Sequence, residues 1–325
     1  MILIISENKD YITDIVLDWL SYNKRKFTRI NDTDKFVISQ IEIESGVENI
    51  KLFNSKFKIN LSDVSVYWHR RGVLNLKQSV VSLNLEQNNN KGIGNYIQAE
   101  YKAINLFVED YLYNKSGVGR IEDNYTNKLS NLIYAKNCGF IIPSTYILKN
   151  KKEVLDLIEK EDLITKGIQS GWFYNDGKEY SLFTSTINQS DLAEFPDKFE
   201  YSLIQKKLDK KYELRIFYFN ERMFATAIFS QNDTQTETDF RHYNNLKPNR
   251  TPPFDLPLNI KEKIIKFMTF KKMKTGSIDI VITKKNEYVF LEVNPFGQFG
   301  QVSNPGNFHI EKHIADYLIE RSIND

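Results

Sequence analysis

The stretch FLEVNPFGQFG, residues 290–300, poses a physical problem. The apolar run from Tyr288 to Val293 reads as a strand, yet it carries Glu292 in its middle and runs into Asn294-Pro295. Burying a carboxylate without a partner is costly. The segment just upstream suggests an answer. Ser277–Thr283 also reads as a strand, and Lys284-Lys285-Asn286-Glu287 reads as the turn between the two. A hairpin mirrored about a point between 285 and 286 sets Asp279 directly opposite Glu292. Alternation along the strand puts Asn294 on the same face as Glu292. Two facing carboxylates repel unless a cation sits between them. Hard oxygen ligands of this kind suit Mg²⁺, with phosphate oxygens completing the shell. The same hairpin could equally turn both carboxylates to solvent or to lysines, and by itself it does not decide.

Working outward, the bulk properties exclude several classes. The chain has 325 residues, with 44 basic and 42 acidic side chains and a formal net charge of +2, so no global charge argues for nucleic acid or an anionic membrane as partner. Cys138 is the one cysteine, so no intrachain disulfide can form; it reads as a small buried hydrophobe. The N-terminal MILIISENKD is short and lacks a preceding basic region, so it reads as a first strand and not as a signal peptide. No stretch approaches the length of a membrane span. The expectation is a cytoplasmic protein.

Periodicity divides the chain into three lobes: 1–121, 122–200 and 201–325. In the first, Ile2–Ile5 and Val64–Arg70 read as strands, and Tyr11–Leu20 and Ile93–Tyr113 as helices. In the second, Asp123 or Asn124 can cap a helix running through Asn137. Lys151–Lys160 reads as a helix, and Leu163–Lys166 and Tyr180–Ile187 as strands. The third is mostly β, with strands at Glu213–Phe219 and Met223–Phe229, a helix at Ile260–Met273, the acidic hairpin, and a closing helix at Phe308–Ile319.

Three further segments bear on the hairpin. Lys166 ends a strand just before Gly167 and Gly171, where a lysine can reach phosphate; a lysine at a strand end can also be merely solvated. Ser202–Leu208 is a strand that breaks into a polar loop, able to present backbone groups to a base edge. Glu213, Arg215 and Phe217 alternate onto one face, where Arg215 suits a phosphate or carboxylate, or an ordinary ion pair with Glu213 or a neighbour.

In this order the segments resemble the ATP-grasp ligases, over about Asn127 to Gly300. The resemblance rests on Asn127-Lys128-Leu129, Leu163–Lys166, Gln205–Leu208, Glu213-Leu214-Arg215, Asp239-Phe240-Arg241, Asp279 and Glu292-Val293-Asn294-Pro295. With VYWHRRG at 66–72, it is most similar to peptide maturases of the graspetide type, those of grasp-with-spasm systems above all. More distantly it resembles the glutamate ligases that modify ribosomal protein S6.

The resemblance implies an α/β fold of three lobes: a pre-ATP-grasp α/β domain, a central domain and a C-terminal antiparallel-sheet domain. It implies ATP and Mg²⁺ as cofactors. Lys128 and Lys166 would contact phosphates. Gln205, Lys206, Lys207 and Leu208 would hold adenine, and Glu213 the ribose or a neighbouring polar group. Asp279, Glu292 and Asn294 would bind the metal, while Arg215 and Arg241 would be catalytic. Relatives carry an acidic residue after the glutamine, where this chain has Lys206 and Lys207. The implied partner is a ribosomally made precursor peptide, with its leader on the segment Trp172–Ile187 and its core in the cleft. Trp68, Arg70 and Arg71 would face that cleft or simply end a strand. Neither nucleic acid nor membrane is implied, and a homo-oligomer is compatible with the reading. The alternatives are a ligase adding an amino acid to a protein tail or small metabolite, a kinase of the same fold, and a nucleotide-binding module without turnover.

Overall fold

The computed structural model describes residues 1–76, 91–120, 126–169, 172–231, 239 and 244–323. The chain forms two compact units, residues 1–124 with 309–325, and residues 125–308.

The first unit is built on parallel strands in the order β2-β1-β6: β1 (Ile2–Ser6), β2 (Phe27–Asn31) and β6 (Val66–His69). All five residues of β1 are buried, which is why the sequence shows an unbroken apolar run and not alternation. A separate antiparallel meander holds β3 (Val37–Glu44), β4 (Val47–Phe53) and β5 (Lys58–Asn60). The sequence reading assigned nothing there, and a register shift between Ile38 and Gln40 explains why: it breaks the alternation that would reveal β3. Helix α1 (Tyr11–Tyr22) buries Ile12, Val16 and Leu20. Helix α2 (Lys91–Asn114) sends Val108 and Leu112 into the core beside Leu3 and Ile5.

The last helix, α8 (Ile310–Ile323), was expected with the third lobe, but it packs in this first unit, on α1, β1 and β6. Its row Ile310, Ile314 and Leu318 is fully buried. Parallel sheets need both faces covered, so this row supplies cover that the N-terminal segment alone lacks.

At the end of β6, Trp68 is buried in the core, and the nearly buried Arg70 lies 3.5 Å from Asp10 Oδ2. Both are therefore structural in this unit. His69 is fully buried, and its Nε2 donates to the Gly72 carbonyl at 2.9 Å.

The second unit opens with α3 (Lys128–Asn137). Its cap is Asn127, whose Oδ1 accepts from Ser130 N–H at 3.1 Å. The expected caps, Asp123 and Asn124, lie outside the described residues. There follow β7 (Thr145–Asn150), α4 (Lys151–Ile158), β8 (Leu163–Lys166), β9 (Trp172–Asn175), β10 (Lys178–Ser181), β11 (Ser185–Ile187), α5 (Gln189–Ala193) and β12 (Lys198–Lys206). They form the antiparallel sheet β11-β8-β12-β7 and a two-stranded ribbon, β10-β9. The single strand expected at Tyr180–Ile187 is thus two, each in a different sheet.

Next come β13 (Lys210–Phe219), β14 (Arg222–Ile228), α6 (Leu258–Phe270), β15 (Thr275–Thr283), β16 (Tyr288–Asn294) and α7 (Gly300–Gly306). The strands form the sheet β14-β13-β15-β16. Its back face sends Leu214, Ile216, Ile278, Ile280 and Ile282 against Leu132 and Ala135 of α3 and Ile260, Ile264 and Phe267 of α6. Cys138 lies buried in the same cluster, as expected. Burying one such aliphatic side chain contributes about 1.5–3 kcal/mol. That apolar drive fixes which side of the sheet is left for polar chemistry.

One prediction follows from His69. Burial, chiefly, lowers its pKa from 6.5 to about 4; the bond to Gly72 opposes this, and neighbouring Arg70 adds to it. The folded value lies below the unfolded one, so the contribution to stability is complete above pH ~6.5 and is lost as pH falls towards ~4. Urea unfolding across that window should show a loss attributable to His69 of up to about 3 kcal/mol. His69→Gln should flatten the slope; an unaltered slope would assign it to other groups.

Candidate active site

The front face of the sheet β14-β13-β15-β16 carries a row in register: Thr226, Arg215, Asp279 and Glu292. The two carboxylates are direct cross-strand partners, as the hairpin reading expected. Each meets a cation. Arg215 Nη1 donates to both carboxylate oxygens of Asp279 at 3.2 Å, with both side chains nearly buried. Lys128, in the first turn of α3, brings Nζ to 3.3 Å from Glu292 Oε2. Removing one partner of a buried pair typically costs about 3–5 kcal/mol, because the other charge is stranded. Arg215 therefore pairs with Asp279 and not with Glu213, whose Oε1 lies 2.5 Å from Lys210 Nζ.

The register comes about differently from the simple mirror. The turn is centred on Lys285, with Thr283 N–H donating to Glu287 C=O and Asn286 in the left-handed region at φ 61°. That centre alone would pair Asp279 with Leu291. A bulge between the pairs Ile280–Phe290 and Asp279–Glu292 inserts Leu291 and restores the facing carboxylates. Leu291 and Glu292 both consequently line the same cavity.

That cavity, about 370 Å³, is bounded by both sheets of the second unit. The central sheet contributes Ile164, Lys166 and Gln205, and the C-terminal sheet contributes Glu213, Asp279, Val281 and Glu292. The connection Lys206-Lys207-Leu208 forms one wall. Gln205 is buried and donates from Nε2 to Thr145 Oγ1 at 2.8 Å, which anchors the connection. Lys206 N–H donates to Ser144 C=O and Lys207 N–H to Asp162 C=O, while Leu208 N–H has no backbone partner among the described residues. The Lys206 side chain turns out to Glu161, 3.1 Å away. Lys206 thus lines the wall while its ammonium is paired with Glu161.

The structure gathers Lys166, Gln205, Lys206, Lys207, Leu208, Glu213, Asp279 and Glu292 around one space. Lys128 and Arg215 reach it through their ion pairs. Asn294 is exposed, does not line the cavity, and accepts from Phe296 N–H at 3.0 Å. Arg241 lies outside the described residues. Asp239, two positions earlier, is buried, lines the cavity, and accepts from Thr184 N–H at 3.0 Å. Sequence reasoning missed Lys210, Lys284 and Thr184 as lining residues; two of them sit in Lys-Lys runs that look solvated.

The segment after Glu292 closes one end of the front face. Phe299 packs on Phe217 with ring centroids 4.9 Å apart in a tilted arrangement, and α7 packs on β13 and β14. Gly297 passes so close to Ser277 that a Cβ there would overlap its side chain. This accounts for the glycine in NPFG.

No protein-family model matches the chain, and no curated protein does. Solved structures do. A RiPP-associated ATP-grasp ligase from Chryseobacterium gregarium, solved with ADP and a leader and core peptide, is 26% identical at a TM-score of 0.77, covering 98% of this chain and 96% of that one. The macrocyclase MdnC from Microcystis aeruginosa, solved with the precursor peptide MdnA, is 22% identical at 0.71, covering 98% and 100%. D-alanyl-alanine synthetase A from Vibrio cholerae shares the fold more loosely, at 12% and 0.52. The chain has the ATP-grasp fold and resembles RiPP-associated ATP-grasp ligases.

Gly297 offers a test of this geometry. Gly297→Ala should lower stability by roughly 1–3 kcal/mol, the usual range for overpacking. Combining it with Ser277→Gly removes the obstructing side chain and should restore most of the loss in thermal melts. A single variant as stable as the parent would mean that the loop does not hold this close approach.

Proposed function

We propose that this chain is an ATP-dependent ligase that activates Asp or Glu side chains of a ribosomally made precursor peptide and closes ester or amide macrocycles. The observation that carries this reading is the likeness, over nearly the whole of both chains, to a RiPP-associated ligase solved with ADP, leader and core. The cavity supports it. Its walls combine lysines for a triphosphate, apolar faces for a base, and paired carboxylates for a metal.

The donor set fits Mg²⁺. Asp279 and Glu292 offer hard oxygens in register, and Asn294 is the proposed third ligand. When bound, the ion neutralises charge on the transferring phosphoryl group. The residues of the chain do the rest. Lys166 and Lys128 hold phosphate oxygens, and Leu208 N–H takes the adenine edge. The substrate carboxylate attacks the γ-phosphorus, ADP leaves, and an acyl-phosphate remains. A hydroxyl or amine of the same peptide then attacks the acyl carbon and loses its proton, and inorganic phosphate leaves. Arg215 and Arg241 are placed in this scheme on the developing charge. Asp279 and Arg215 stabilise one another, so Arg215 serves the metal ligand as well as the phosphoryl group. For the leader, the β9–β10 ribbon offers exposed apolar side chains beside it, Leu182 and Phe183, and strand edges able to take an added strand.

Co-expression with a candidate precursor peptide, followed by mass spectrometry, tests the reaction: each bond formed removes one water. Glu292→Gln should abolish that loss while leaving the thermal melt intact. Lys166→Ala should weaken ATP binding in calorimetry by about tenfold or more, the loss expected of a charged hydrogen bond. Arg241→Ala should lower turnover by ~10²-fold at saturating ATP with little change in ATP affinity. Dehydration by Glu292→Gln at the parent rate would remove the metal assignment, and a phosphorylated peptide as end product would favour a kinase.

A further inference from the structure

Thr226 is the member of the front-face row that this mechanism leaves without a task. Its side chain is fully buried, and its Oγ1 has no hydrogen-bond partner among the described residues. Leaving a hydroxyl unsatisfied in the interior is costly, and valine, of nearly the same shape, would remove the cost. A polar atom kept in this way calls for a partner in another state of the site.

The register names that partner. Along β14 the same-face neighbours of Thr226 are Phe224 and Ile228. Across the strands it stands between Pro253 and Arg215. Phenyl, alkyl and pyrrolidine side chains neither donate nor accept, so three of these four neighbours offer the hydroxyl nothing. Arg215 does donate, and direct cross-strand partners have their Cβ atoms about 4.5–5.5 Å apart. Ser277, also buried on this face with its Oγ unpartnered among the described residues, stands in register with Phe217 and Asn294 and not with Arg215.

Arg215 gives Nη1 to Asp279, 3.2 Å from each carboxylate oxygen. That is the position between the oxygens which a cation drawing on either must contest. A divalent ion on Asp279 also repels the guanidinium beside it. Metal binding therefore loosens the ion pair, and a donor released in so nearly buried a site needs a new acceptor. Thr226 lies on the opposite side of Arg215 in the same row.

We propose that Thr226 is a positioning residue for the reaction: its hydroxyl accepts a hydrogen bond from Arg215 when a divalent cation takes Asp279, and holds the guanidinium on the front face for the transferring phosphoryl group. This inference rests on the metal and nucleotide reading of the cavity. Without the hydroxyl, the ion must strand an arginine donor in order to bind.

Two variants of the full chain separate this role from packing. Thr226→Val keeps the shape and removes the acceptor; Thr226→Ser keeps the acceptor and removes a methyl group. Mn²⁺ binding to the ADP-saturated chain, followed by electron paramagnetic resonance, should weaken by about tenfold in Thr226→Val, the low end for a hydrogen bond to a charged group. Its thermal melt without metal should equal or exceed the parent's. Thr226→Ser should melt lower yet keep Mn²⁺ affinity within about twofold of the parent. Unchanged Mn²⁺ affinity in Thr226→Val overturns the proposal, and so does a parallel loss of affinity and melting temperature in both variants, the signature of packing alone. Failure of the parent to bind Mn²⁺ with ADP overturns the metal reading itself, and is told apart because no substitution is needed to see it.

Discussion

Two like charges held opposite each other on adjacent strands, Asp279 and Glu292, are the constraint on which the rest of the second unit depends. Such a pair is destabilising by itself. The fold compensates from two directions. Arg215 comes from the neighbouring strand β13, and Lys128 comes from the first turn of α3. Helix α3 is placed by burial of Leu132 and Ala135 against the back of the same sheet. The apolar face thus determines where the charged face finds its cations. The charge balance of this face is thus set by four residues drawn from four elements.

Backbone irregularities aim the charged side chains of the front face. The bulge at Leu291 swings Glu292 to meet Asp279, and the bulge at Lys211 turns Lys210 towards Glu213. An ideal sheet would pair Asp279 with Leu291 and send Lys210 to the back. Bulges re-aim single side chains without disturbing the strand's remaining alternation. Ile278, Ile280 and Ile282 accordingly keep to the core while Asp279 and Val281 face the cavity.

The cavity also depends on how the two sheets are joined. Gln205 anchors the connection by its bond to Thr145, so the following residues can leave the strand without losing position. On the far side, Asp239 ties to Thr184 N–H, linking the segment after β14 to the one between β10 and β11. These bonds bring together residues that lie dozens of positions apart. The fold is shared with solved structures of low sequence identity.

The sequence alone determined the strands and helices with clean periodicity. It placed the buried β1, the α1 stripe, the acidic hairpin, and the facing of Asp279 and Glu292. It could do so because alternation and helical spacing are local, and a hairpin's register follows from its turn. The facing pair was legible although the turn centre and the bulge were both unseen, since their one-residue offsets cancel. The meander β3–β5 was illegible because its own register shift hides the alternation. Only the tertiary structure decided that Asn127 caps α3, that α8 belongs with the first unit, that Arg215 pairs with Asp279, and that Lys210 is a wall residue of the cavity. Each of these turns on what a side chain meets from a distant segment. Burial and charge pairing are properties of that meeting, and local spacing carries no record of it.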